Sequence, residues 1–267
     1  MRRSTIIAAV VLSPIVVLLP LETRRICAPI ESVSNWVLTL YFNGFLALCI
    51  YRIFRNTRVE TKTCLLCLFF TMLVPVVVLR LLQELPPWTV LCVWCNVRND
   101  WVLRYYGMFF GCGIHEELSK AAILFWLVKR ADKLLFPKTV AFYGLIAGLG
   151  FGIMEGVFDL LTTPYLQRIA AFSDHGWQII DGLLRHASWT SIAGYFIAFA
   201  ALYPKRQYSL WAAAILVPAL MHAITNMTNE VTDWGVSVLC MVLLMTLTYW
   251  ANRMRIQSSL PTPNLIT

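Results

Sequence analysis

Charge is what this sequence has least of. Only 13% of its 267 residues are Asp, Glu, Lys or Arg, where a soluble domain carries about 25%. That shortage excludes an ordinary water-soluble domain, and a 59% share of apolar residues excludes a disordered chain. Internal repeats and low-complexity tracts are missing, which removes solenoid and array architectures. There is no phosphate-binding P-loop. No HExxH motif occurs and no two histidines stand four residues apart, so the usual helical zinc signature is missing. No serine or cysteine sits in a recognisable nucleophile context, which disfavours an acyl-enzyme. The tail QSSLPTPNLIT has the composition of a disordered segment and carries no prenylation signal.

Long apolar runs are abundant. A spanning helix needs ~20 mostly apolar residues, and eight candidates fall at 4–20, 36–54, 63–83, 105–128, 140–161, 181–203, 209–228 and 234–250. The expected fold is an all-α, polytopic membrane protein of about eight transmembrane helices. The first run could be a signal peptide, but it lacks a small-x-small cleavage site, so a retained helix is expected. Aromatics at several span ends, among them Trp36, Tyr203, Trp211, Trp234, Tyr249 and Trp250, match an interfacial belt.

The net charge of +8 does not indicate nucleic acid. Its basic residues cluster between the apolar runs: Arg2 and Arg3, then Arg52 to Lys62, Lys129 to Lys138, Lys205 and Arg206, and Arg253 and Arg255. All of these fall on one side of an eight-helix path. Positive loops are cytoplasmic, so a multi-pass protein of the cell (inner or plasma) membrane with both termini inside is expected. Cys92 and Cys95 then lie in an outer loop as CVWC, where a disulfide between them and an unpaired thiol pair are equally open. Cys49, Cys64, Cys67 and Cys240 read as small apolar packing residues.

Against this apolar background a few polar side chains stand out. GIHEELSKAAILFWLVKR (113–130) places Glu116, Glu117 and Lys120 inside the fourth span. Glu155 lies in the fifth, His186 in the sixth, and His222 with Asn226 in the seventh. A charge at bilayer depth costs ~2.5–3.5 kcal/mol on insertion scales, so such residues are rare and imply function. Glu116 and Lys120 are four apart and share a face, as do His222 and Asn226. At ~1.5 Å per residue, Glu116 lies roughly 15 Å below the outer surface. Counting along helices of alternating direction brings Glu155, His186 and His222 to a similar outward layer. Gly144, Gly148 and Gly152 form a small-xxx-small stripe on the fifth span, which permits close helix approach.

Taken singly, each residue has a bland explanation. His186 and Asn226 could be interhelical hydrogen-bonding residues, and Glu117 with Lys120 could be a packing ion pair. Together they form a set suited to water activation and proton transfer. Glu116 or Glu155 could hold and deprotonate a water, while His222 and Asn226 could donate to the oxyanion formed at a carbonyl. With no adjacent histidine pair, the expectation is a water site with no metal and no other cofactor.

These motifs, in order, resemble those of PrsW-type intramembrane proteases: EExxK at Glu116–Lys120, FxxxE at Phe151–Glu155, a lone histidine at His186, and HxxxN at His222–Asn226. That family belongs with the CAAX prenyl endopeptidases and bacteriocin-processing proteins, regarded as glutamate proteases. The resemblance covers 105–228, the expected catalytic core of helices four to seven. Residues 1–104 would then be N-terminal membrane helices, and 229–267 a last helix and tail. The resemblance implies Glu116 as the water-activating group and Glu155 as its partner. It also implies His222 and Asn226 on the oxyanion side, His186 completing the site, and Glu117 and Lys120 in support. It implies a membrane-anchored protein substrate of the anti-sigma-factor kind, cut near the extracytoplasmic face, with the lipid bilayer as the other partner. Gly156 departs from the family pattern, which often has asparagine there. A proton-coupled transporter and a non-catalytic chaperone or pseudoprotease are the competing readings. No inverted repeat or interrupted midplane helix supports the transporter.

Overall fold

The computed structural model describes residues 44–45, 47–49, 51–52, 59–97, 99–162 and 172–228. The spans expected at 4–20 and 234–250, and most of that at 36–54, lie outside the described residues. Among the described residues all regular structure is helical. In chain order it comprises α1 (Thr61–Gln83), α2 (Trp88–Cys95), α3 (Trp101–Tyr106), a π-helix (Gly107–Gly113), α4 (Ile114–Arg130), α5 (Pro137–Thr162), α6 (Phe172–Leu202), a 3-10 turn (Pro204–Arg206) and α7 (Gln207–Thr228). Among the described residues, three segments are long and apolar enough to cross a membrane by length and composition, Thr61–Gln83, Pro137–Val157 and Pro204–Met227.

Burial tells these helices apart. The apolar stretch of α5 is 83% buried, against 25% for α1 and 28% for the α7 segment. The central helix is therefore α5, with α1 and α7 outside it. Leu65, Phe69, Leu73, Val77 and Leu81 stay exposed along α1. On α4 the polar side chains Glu117 and Lys120 are fully buried while Leu118 and Trp126 are about half exposed. Polar inside and apolar outside is the reverse of a soluble amphipathic helix, and it suits a protein whose outer solvent is lipid.

The contact between α5 and α6 is set by glycine. A methyl added at Gly148 would fall on the carbonyl oxygen of His186, and one at Gly144 on that of Thr190. The small-residue stripe seen in sequence is thus the surface where the two backbones meet, and it brings α6 close enough to deliver His186. Across the other side of α5, the Thr71 hydroxyl donates to the Ala147 carbonyl at 2.7 Å, tying α1 to the same core.

Two stretches differ from the sequence expectation. The CVWC segment is helical, as α2, and not an open loop. The helix expected from Tyr105 begins earlier, at Trp101, because the Asp100 carboxylate accepts from the backbone amides of Val102 and Leu103 at 3.0 Å each and caps an extra turn. The chain then widens into the π-helix before resuming as α4 at Ile114. Local π-type winding is frequent at functional sites, and here it ends two residues before His115 and three before Glu116.

Candidate active site

The first turn of α4 carries the buried charge. Lys120 Nζ donates to Glu117 Oε1 at 2.6 Å, and Glu116 Oε2 lies further off at 3.7 Å. The i,i+3 partner, not the i,i+4 one, makes the close pair. Both Lys120 and Glu117 are fully buried, a placement tolerable only when each charge has a partner. The Lys120 ammonium also sits 4.4 Å from the centre of the Phe151 ring, a cation–π contact. That contact gives the phenylalanine of the FxxxE motif a physical role.

From Lys120 the network runs outward in a determined order. An ammonium can only donate, so at 2.8 Å it makes Nδ1 of His186 the acceptor. The proton of that imidazole is thereby assigned to Nε2, which donates to Glu155 Oε2 at 2.5 Å. On the other side of the pair, Glu117 Oε1 accepts from Nδ1 of His222 at 3.1 Å. This fixes the opposite tautomer for His222, with its lone pair on Nε2. Trp189 stacks on the His222 ring with centroids 4.5 Å apart and holds its plane.

The consequence falls on Glu116. Its Oε2 faces Nε2 of His222 at 3.8 Å and, though buried, has no hydrogen-bond partner among the described residues. A carboxylate oxygen and an imidazole lone pair are both acceptors. Lys120 Nζ, 3.7 Å from the same Glu116 oxygen, is too far for a hydrogen bond, so the two facing acceptors suit a donor or a cation between them, since an unpaired buried acceptor is costly. The charge balance agrees: Glu116, Glu117 and Glu155, if ionised, outnumber the Lys120 charge by two. Glu116, His186 and His222 offer ligand atoms all within 4.8 Å of one another, a carboxylate and two imidazoles being a common donor set for zinc and related ions. Glu116 Oε2 and His222 Nε2 fit a divalent cation as they stand, whereas His186 would join them only by giving up Lys120 or Glu155. Glu117 would then be the carboxylate that orients a ligating histidine through its second nitrogen.

The structure thus brings Glu116, Glu117, Lys120, Glu155, His186 and His222 into one connected cluster, as the helix count placed them. Glu155 is its most open member, with 34% of its side chain exposed against 12% for Glu116. Asn226 lies one turn beyond His222, with Arg185 beside it. Its Oδ1 accepts from Arg185 Nη1 at 3.5 Å. Sequence reasoning passed over Arg185, which neighbours His186 in the chain and lies 5.9 Å from the Trp189 ring; a cation one residue from the lone histidine was the available signal. His115 turns toward α2, its ring centre 4.1 Å from that of Trp88 in an edge-on contact.

Carboxylates, imidazoles and one ammonium, enclosed by helices with apolar outer faces, define a membrane-embedded protein with a centre suited to hydrolysis. The family model described as PrsW family intramembrane metalloprotease matches residues 60–251, most of the chain, and the chain belongs to that family of intramembrane proteases. No curated protein and no solved structure matches it.

Proposed function

We propose that this protein is an endopeptidase that cuts a membrane-anchored protein, of the anti-sigma-factor kind, near the extracytoplasmic face of the bilayer. Glu116 and His222 would hold a divalent cation, with His186 as a third ligand once Lys120 releases its Nδ1. When bound, such an ion polarises a water and the scissile carbonyl. The observation that carries this reading is the 3.8 Å gap between two acceptors, Glu116 Oε2 and His222 Nε2, with no hydrogen bond to the carboxylate oxygen among the described residues.

The chain's own groups then divide the work. Glu117 orients His222 through Nδ1, and Lys120 keeps Glu117 ionised. Glu155 is the carboxylate open enough to meet a substrate, and it takes the proton from the attacking water. Its hydrogen bond to His186 Nε2 stabilises it before it accepts that proton. Asn226 and Arg185, paired at the rim of the cluster, are polar groups within reach of the peptide backbone of an entering substrate. The apolar outer faces of the helices keep bulk water away and strengthen each of these interactions.

A second reading follows from a specific contact. Both nitrogens of His186 are already engaged, by Lys120 and by Glu155. With His186 so occupied, a water could fill the gap and Glu116 itself could act as base, which is the metal-free mechanism that the sequence motifs suggested.

Co-expression with candidate single-span membrane proteins tests the activity. Wild type should accumulate a cleavage product that Glu116→Gln does not. Elemental analysis of the active, purified protein separates the two mechanisms.

A further inference from the structure

Outside the catalytic cluster lies a pair of cysteines that the function does not use. Cys95, in the last turn of α2, and Cys112, in the π-helix, place their Sγ atoms 3.4 Å apart. Both are reduced. The sequence paired Cys95 with Cys92 in its own segment; the fold brings Cys95 to a residue seventeen positions later.

We propose that Cys95 and Cys112 form a reversible disulfide that staples α2 to the π-helix one helical turn from Glu116. The two elements are held together by backbone contact. A methyl at Gly107 would come within 2.5 Å of the Cys95 amide nitrogen, and one at Gly111 within 3.1 Å of Leu91. These glycines let the π-helix lie directly on α2 and fix the two thiols opposite each other. Closing the bond to the usual S–S distance of about 2.05 Å needs an approach of little more than an ångström. Two neighbouring thiols can also be mere packing. A contact this short between separate elements, on the side the charge pattern assigns to the outside, goes beyond packing because oxidising compartments favour such bonds.

The step balances as thiol–disulfide exchange with a low-molecular-weight disulfide, RSSR. One cysteine thiolate attacks RSSR and releases one RSH, leaving a mixed disulfide. The other cysteine then attacks the protein sulfur of that mixed disulfide and releases a second RSH. Two protein thiols are oxidised, one RSSR is reduced to two RSH, and the two thiol protons end on the leaving groups.

Full-length protein in detergent micelles, treated with oxidised glutathione and then alkylated and digested, gives the test. The expected product is a Cys95–Cys112 cross-linked peptide in wild type and in Cys92→Ser, lost on dithiothreitol and missing from Cys112→Ser. The oxidised wild type should also unfold at a higher temperature than the reduced form, since the staple closes a loop of the unfolded chain. That shift should vanish in Cys112→Ser. Full alkylation of both cysteines after oxidation would overturn the proposal, as would a Cys92–Cys95 peptide in place of the expected one. The wild-type peptide map alone decides this should a variant fail to fold.

Discussion

Nε2 of His222 and Oε2 of Glu116 face each other across 3.8 Å with no proton assigned to either. The tautomer of His222 is set from behind by Glu117, at 3.1 Å from Nδ1. Glu117 is itself held by Lys120. A fully buried ion pair therefore determines which atom of a histidine is presented to Glu116.

Glu116→Gln keeps the shape of the side chain but removes an anionic oxygen. Cleavage of a verified membrane substrate should fall by at least the ~10²–10⁴-fold expected for loss of a positioned acid–base group, with the thermal unfolding midpoint nearly unchanged. Glu155→Gln should do the same. Full turnover by either variant would remove that residue from the chemistry.

Glu117→Gln and Lys120→Met should act on stability first. Each leaves the other charge buried and unpaired, at a cost of about 3–5 kcal/mol. The double substitution should recover much of this loss, because neither charge then remains. A double-mutant cycle by thermal unfolding in detergent measures the coupling. Additive losses would mean the pair is not the structural anchor described.

Gly148→Ala should separate α5 from α6, since its new methyl meets the His186 carbonyl oxygen. Both unfolding midpoint and activity should drop. Gly182→Ala is the matched control on α6, where nothing lies within 4 Å. It should be neutral, or stabilising by up to ~1 kcal/mol from helix propensity. Equal tolerance at the two sites would contradict the close backbone contact.

Metal content separates the two mechanisms. Purified active protein should contain about one divalent ion per chain, fewer in His222→Ala, with activity lost on chelation and regained on re-addition. Metal-free protein with full activity would leave the glutamate-activated water as the mechanism.

Topology can be read by labelling. Single cysteines placed between Arg52 and Lys62 should be protected from an impermeant reagent in intact cells. Labelling there would invert the assignment of the site to the outer half of the membrane.

The sequence by itself determined the membrane class, because charge this scarce and apolar runs this long leave no other solvent. It also led to the expectation that Glu116, Glu155, His186 and His222 share one layer, because helix rise and alternating direction bring them to one depth without knowledge of packing. Gly144 and Gly148 were legible as a contact stripe, since only a missing side chain permits such an approach. Tertiary structure decided what helical periodicity cannot carry, namely how each helix is rotated and shifted against its neighbours. That rotation makes Glu117 the close partner of Lys120, assigns opposite tautomers to His186 and His222, and turns Asn226 toward Arg185. It also sets Cys95 against Cys112. Hydrogen-bond direction depends on tenths of an ångström between elements far apart in the chain, whereas depth in a bilayer depends only on counting residues along one helix.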